Sequence, residues 1–158
     1  MKKFFILFFV NLVLVLLQLS FFGELFSGSF VPNLVLALAF ALAFSELADF
    51  GKMSALAGGL LLDLLGFNII GFSPTVIISC LIIYDLIRRN VSKNVILSSF
   101  VVIISSLVYD KLLGISPTFF APQAIKSALV TFAAWGIFYL LTSNISTYLA
   151  KSGYKISE

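Results

Sequence analysis

The sequence predicts an all-α integral membrane protein, and two features of its composition support this prediction. Of its 158 residues, 61% are hydrophobic and 11% are charged, whereas a typical soluble domain has roughly 45–50% and roughly 25%. The chain also contains 18 Phe. A soluble fold of this length could not cover so much apolar surface with so few charges. We therefore expect residues 1–158 to form a single transmembrane domain.

The composition also excludes several kinds of functional site. The chain has no His, and its one cysteine is Cys80, so Ser–His catalysis, a His-based metalloprotease and a disulfide framework are excluded. Tyr84-Asp85 and Tyr109-Asp110 each carry the Tyr-Asp pair of an intramembrane aspartyl protease. The predicted topology places these two carboxylates at opposite membrane faces, where they cannot share a proton. We expect no catalytic residue, no metal and no cofactor.

Stretches without charged residues indicate the membrane spans. An α-helix needs about 20 mostly apolar residues to cross a bilayer, and Phe4–Gly23, Leu25–Ser45 and Ser127–Ala150 reach that length without a charge. Asn94–Tyr109 reaches it if the helix continues by one turn, because the two charged residues of that turn can extend to the membrane surface. These four stretches predict four transmembrane helices.

The total number of spans depends on Met53–Tyr84, which only Asp63 interrupts. One crossing here distributes the Lys and Arg residues five to each side, whereas two crossings place eight on the side of the N-terminus and two on the other. Because cytoplasmic loops carry the excess of basic residues, we predict six spans with both termini in the cytoplasm. Gly66 and Gly71 suit the turn between the third and fourth spans. The predicted spans cover residues 4–22, 32–49, 53–65, 71–87, 94–113 and 125–149.

Acidic residues in or near the spans are candidates for function, because a charge within lipid is costly. Glu46 and Asp49 fall at the cytoplasmic end of the second span. Asp85 and Asp110 fall at opposite surfaces, and we interpret all four as interfacial charges with a nearby partner. Asp63 lies about 18 Å from the cytoplasmic edge, past the midplane. We expect it to face the bundle, where it binds a polar group or caps the turn that follows; partner contact and ion handling are alternatives.

Small and polar residues indicate how the helices are arranged. Ala55, Gly58 and Gly59 would let a neighbouring backbone approach closely, which predicts a central position for the third span. The first span is apolar on every side and is expected to face lipid. Asn11 and Gln18 lie seven residues apart on one face of that span, so they could instead bind a partner helix.

Two loops and two single side chains complete the set of candidates. Leu112–Ile125 contains a glycine and two prolines and is predicted to be an outer loop, with Phe119 and Phe120 as a possible partner contact. The basic loop that begins at Arg88 could bind anionic lipid or a cytoplasmic partner. Cys80 is expected to fill space in the fourth span, and Trp135 is expected to pack inside the last one.

Several short motifs follow one another along the chain: Pro32-Asn33-Leu34, Gly51-Lys52, Gly58, Gly59-Leu60-Leu61-Leu62-Asp63, Gly66 and Gly71. Their order resembles that of the MreD family, small membrane proteins of the bacterial rod-shape system. Members of that family typically show Pro-Asp-Leu at the first motif and Gly-Leu-x-x-Asp at the fourth, so Asn33 is a departure. The predicted number of spans and the chain length are also similar, and the resemblance covers nearly the whole chain.

The resemblance implies a non-catalytic scaffold of the cell-elongation complex, located in the bacterial inner (cytoplasmic) membrane and supporting lateral peptidoglycan synthesis. The implied partners are the bitopic protein MreC and, indirectly, MreB, RodA and a class B penicillin-binding protein, with no nucleic acid. The motif residues would then be structural or would contact a partner.

The helix arrangement of the MreD family is also similar to that of another class of membrane protein, the S-components of energy-coupling-factor transporters. Uptake of a vitamin or another small molecule is therefore the alternative function. S-components dock through small Ala residues on the first helix, and Phe4–Phe22 contains neither Ala nor Gly, which favours the scaffold.

Overall fold

The computed structural model describes residues 2–25, 31–45, 47–66, 69–90, 95–112 and 122–151, and every regular element in these ranges is helical. The first helix, α1, begins as Lys2–Leu16, continues as a π-helical segment over Leu17–Phe22 and ends with the turn Gly23–Leu25. The other five are α2 (Leu34–Phe44), α3 (Ala48–Leu65), α4 (Phe72–Asn90), α5 (Val95–Leu112) and α6 (Pro122–Lys151). Two helical segments in these ranges are long and apolar enough to cross a membrane, Phe4–Leu25 and Pro122–Ile145. The prediction of an all-helical fold is confirmed.

The second helix is shorter than the sequence predicts. We expected a helix up to residue 49, but α2 ends at Phe44 and α3 already begins at Ala48. The backbone leaves the helical region at Ser45 and Leu47, where ψ is 19° and 47°. Asp49 therefore lies in the first turn of α3 instead of at the end of the second span. Glu46 lies outside the described residues.

The central helix of the bundle is α2, and the prediction that the third helix is central is wrong. Every residue from Leu34 to Ala43 is buried, and α2 contacts each of the other five helices. In contrast, α3 exposes Met53 and Leu56 on one side. The sequence of α2 explains its position, because small Ala residues alternate with large apolar ones and no polar face is left for solvent.

Glycines set the close contacts of α3, as their spacing suggested. A Cβ atom at Gly51 would lie 2.8 Å from the Ala39 carbonyl oxygen of α2, and a Cβ atom at Gly58 would lie 2.5 Å from Val35 Cγ1. Gly58 also touches the Asn11 side chain of α1. The small residues of α3 therefore let it approach its neighbouring helices closely, while its other residues include exposed apolar side chains.

On α6, aromatic rings close the core around Trp135. The Trp135 ring stacks on Phe132 and Tyr139, with ring centroids 5.6 Å and 5.8 Å away, and meets Phe44 of α2 edge-on at 6.0 Å. Cys80 of α4 is partly buried and packs against the same core cluster. Trp135 is only 3% exposed, so it lies inside the bundle as expected.

Candidate functional site

Polar side chains gather at the two ends of α2, and these two groups are the candidate functional regions. The first, which we call the Asp63 end, contains the start of α2, the end of α3, the start of α4 and the end of α5. The second, which we call the Arg88 end, contains the end of α2, the start of α3 and the end of α4.

At the Asp63 end, the Asp63 carboxylate caps the start of α4. Its Oδ2 atom accepts hydrogen bonds from the Gly71 N–H at 2.8 Å and from the Ser73 N–H at 3.1 Å. Gly71 takes a φ of 92°, a left-handed conformation that favours glycine. Because a helix start carries unpaired N–H groups and a partial positive charge, a buried carboxylate is well placed there. Asp63 is only 1% exposed.

Gly66 and Tyr109 complete this connection between helices. Gly66 ends α3, and its N–H donates to the Leu62 carbonyl at 2.8 Å, so the chain turns three residues after Asp63. The hydroxyl groups of Ser73 and Tyr109 are hydrogen-bonded at 2.9 Å, and Tyr109 belongs to α5. The Asp63 end thus links α3, α4 and α5 through one series of hydrogen bonds.

The start of α2 is held by side chains from two other helices. The Leu34 N–H donates to Gln18 Oε1 of α1, and the Asn33 N–H donates to Thr131 Oγ1 of α6, both at 2.9 Å. Asn33 also caps its own helix, since its Oδ1 accepts from the Leu36 N–H at 2.9 Å. The preceding residue, Pro32, is buried and has no N–H that needs a partner.

Asn11 and Gln18 therefore serve the interior of this chain, and the hypothesis that they bind a partner helix is corrected. Asn11 is fully buried; its Nδ2 donates to the Leu7 carbonyl at 2.9 Å, and its Oδ1 accepts from Ser54 Oγ of α3 at 3.0 Å. Gln18 is 5% exposed. Neither amide faces outwards, because both connect α1 to the helices behind it.

Asp110 is the buried residue that sequence reasoning missed. We interpreted it as an interfacial charge, but it is 2% exposed, and its Oδ2 has no hydrogen-bond partner among the residues that the structure describes. Ser127 lies beside the carboxylate, yet its hydroxyl donates to the Val31 carbonyl at 3.0 Å. Nδ2 of Asn33 is likewise buried and unpartnered within the described ranges.

A spacing signal for this region was present in the sequence. Ser106 and Asp110 lie four residues apart on α5, and Ser127 and Thr131 lie four residues apart on α6. Such pairs share one helix face, and the Ser106 and Thr131 hydroxyl groups lie 3.5 Å apart across the two helices. Two facing polar stripes would have predicted that Asp110 points inwards.

At the Arg88 end, two cations hold the ends of neighbouring helices. Nη1 of Arg88 donates to the Ala43 carbonyl at the end of α2, at 2.9 Å. Nζ of Lys52 lies 3.4 Å from Asp85 Oδ2, which joins α3 to α4. An open cleft of about 370 Å³ lies here, lined by Ala48, Lys52, Asp85 and Arg88.

The two Tyr-Asp pairs are separated in the structure. Ser73 contacts Tyr109, whose neighbour in the chain is Asp110, and Asp85 follows Ser73 by twelve residues on the same helix. Twelve residues of α-helix measure about 18 Å, so Asp85 and Asp110 lie at different ends of the bundle. Two carboxylates at this separation cannot form a proteolytic dyad.

Two of the predicted partner contacts lie outside the part of the chain that the structure describes. Phe119 and Phe120 fall outside these ranges, so their predicted partner contact stays a prediction. Within the ranges that are described, no three His, Cys, Asp or Glu side chains are grouped so as to hold a metal ion.

Comparison of the chain with family models, curated proteins and solved structures gave no match. The resemblance to the MreD family therefore depends on the motifs quoted above.

Proposed function

We propose that this chain is a six-span protein of the bacterial inner membrane, with both termini and the Arg88 end in the cytoplasm. Two helical segments of spanning length and apolar composition support this placement, together with the excess of Lys and Arg on the predicted cytoplasmic side. The short helix α2 fits the same placement. Its eleven residues measure about 16 Å, and its ends are covered by polar side chains of other helices instead of lipid.

We propose further that the chain is a non-catalytic scaffold of the cell-elongation complex, similar to MreD, that binds an MreC-like bitopic protein and supports lateral peptidoglycan synthesis. The observation that carries this proposal is the structural role of the motif residues in the helix bundle. Asn33, Gly51, Gly58, Gly59 and Asp63 all contact another helix or cap one. Residues in these roles hold the helices together and are not required to catalyse a reaction. The outward faces of the helices then remain for contacts with partner proteins.

The outward face of α1 is one such partner surface. Phe5, Ile6 and Phe9 are each about two thirds exposed, at 68%, 66% and 65%. Lipid alone could cover these side chains, and so could a single transmembrane helix, because both offer an apolar surface. MreB, RodA and the class B penicillin-binding protein would join the complex through the bitopic partner.

Co-purification tests the scaffold proposal. We expect the tagged chain, extracted in a mild detergent, to recover the MreC-like protein of the same cell in a constant ratio. An unrelated six-span protein with the same tag and expression level is the control and should not recover it. Recovery of an energy-coupling ATPase pair in place of the bitopic protein would contradict the scaffold and favour uptake.

One observation favours the uptake alternative. Nδ2 of Asn33 and Oδ2 of Asp110 are buried at the same end of the bundle, and each is unpartnered within the described residues. Buried polar atoms normally have a partner, and a polar solute could supply one. The co-purification described above separates the two functions, because a scaffold and an uptake component assemble with different proteins.

Accessibility labelling tests the proposed topology. Gln123 at the start of α6 and Asp49 at the start of α3 are both exposed, and the topology places them on opposite sides of the membrane. In a chain whose single cysteine is removed by Cys80→Ser, we expect Gln123→Cys to react with a membrane-impermeant maleimide in intact cells. Asp49→Cys should react only after the cells are lysed, and any other pattern would contradict the six-span arrangement.

A further inference from the structure

The part of the cleft lining that the structure describes carries more positive than negative charge. Of its lining residues, Lys52 and Arg88 are cationic and Asp85 is anionic, so the net charge of the lining is +1. Asp49 lies nearby in the first turn of α3, but it is exposed and does not line the cleft.

Both cations have hydrogen-bond donors beyond those used for contacts within the described ranges. A guanidinium has five N–H donors, and Arg88 is seen to use Nη1 for the Ala43 carbonyl. An ammonium has three donors, and the Lys52 side chain is 46% exposed while it pairs with Asp85. Helix α3 begins in this cleft, and its N-cap residue, Leu47, gives no side-chain hydrogen bond. An anion placed here would meet two cations and the positive end of a helix.

Apolar side chains lie next to the cleft, one turn further along α3 and α4. Leu56 follows Lys52 by four residues on α3, and Ile82 precedes Asp85 by three residues on α4, so each lies on the same helix face as its charged neighbour. Leu56 and Ile82 are both 48% exposed. A polar anion alone would leave these side chains uncovered, whereas an amphiphile would cover them with its hydrocarbon part.

We propose that this cleft binds the phosphate group of an anionic membrane phospholipid, with an acyl chain lying along Leu56 and Ile82. Lys52 and Arg88 hold the phosphate oxygens, and Asp85 competes with the phosphate for the Lys52 ammonium. The site rests on the proposed membrane placement, which puts the Arg88 end at the level of the lipid headgroups. A bound lipid of this kind fills the space between α3 and α4 at the cytoplasmic surface.

Lipid retention on the purified chain tests this site. Native mass spectrometry is carried out on the chain in detergent after exposure to equal amounts of phosphatidylglycerol and phosphatidylcholine. We expect the wild-type chain to retain phosphatidylglycerol in preference, and Lys52→Gln to lose most of that preference. Lys126→Gln is the matched control, because Lys126 is an exposed lysine of α6 and its replacement removes the same charge away from the cleft. Equal preference in Lys52→Gln and wild type would overturn the proposal.

A second variant and a competition measurement separate lipid binding at this cleft from unfolding and from simple anion binding. Asp85→Asn removes the acidic group that competes for Lys52 and should increase phosphatidylglycerol retention, which an unfolded variant would not do. Unchanged or lower retention would overturn the proposal. Inorganic phosphate in excess should compete poorly, because it lacks the acyl chain, and full displacement would show an anion site without lipid specificity and overturn the proposal. Retention is measured on the chain alone, so its failure is distinguishable from failure of the scaffold proposal, which the bitopic partner tests.

Discussion

Replacing Asp63 with Ala is expected to lower the free energy of unfolding by about 3 kcal/mol. The buried Ser73 N–H and the part-buried Gly71 N–H would both lose their acceptor, and a buried donor without an acceptor costs about 1–3 kcal/mol. The Asp63 carboxylate is only 1% exposed, so its removal leaves polar groups inside the bundle without their partner. Membrane insertion should be unchanged. Unfolding by denaturant in detergent measures the difference between Asp63→Ala and the wild-type chain.

Two variants separate the cap from a general effect of charge. Asp49→Ala removes an exposed carboxylate from the first turn of α3 and should cost no more than about 1 kcal/mol, the usual size of an interaction with the helix dipole. Asp63→Asn keeps one acceptor oxygen and should fall between Asp63→Ala and wild type. If Asp63→Ala were no less stable than Asp49→Ala, the capping role of Asp63 would be wrong.

Adding a methyl group at Gly59 is expected to destabilise the contact between α3 and α4. A Cβ atom there would lie 2.6 Å from both the N and the Cα atom of Pro74. These are backbone atoms, so α4 must move as a whole to make room. Because overpacking costs about 1–3 kcal/mol, we expect Gly59→Ala to lower the free energy of unfolding by about 2 kcal/mol. The same denaturant titration measures it.

Gly136 supplies the control for this substitution. Gly136 lies near the middle of α6, and a Cβ atom there would meet nothing within 4 Å. Because Ala favours a helix over Gly by up to about 1 kcal/mol, Gly136→Ala should leave stability unchanged or raise it. A loss of similar size in both variants would show that close approach at Pro74 is not the cause.

Features that depend on the local sequence were predictable. The charge-free stretches identified the helices because a long apolar run and a charge mark the middle and the end of such a helix. The inward position expected for Asp63 follows from the same reasoning, since a carboxylate deep in an apolar run needs a polar partner. In the structure, this partner is the start of α4.

Features that depend on tertiary contacts were not predictable from one sequence. The early end of α2 at Phe44 depends on Arg88, which takes up a carbonyl at that helix end from a position forty-five residues away. The burial of Asp110 depends on the facing stripe of α6. The sequence gives each residue's own polarity, but only the assembled bundle determines which polar groups face one another.

Helix α2 receives several of its end contacts from helices that come much later in the chain. Its start bonds to Thr131, its end bonds to Arg88, and the Ser45 hydroxyl next to that end bonds to Thr142 at 2.7 Å. During synthesis the ribosome must therefore reach residue 142 before the second helix, made a hundred residues earlier, can complete its hydrogen bonds. The hydrogen bonds at the two ends of α2 can therefore form only after the later helices have been made, although α2 itself is made early.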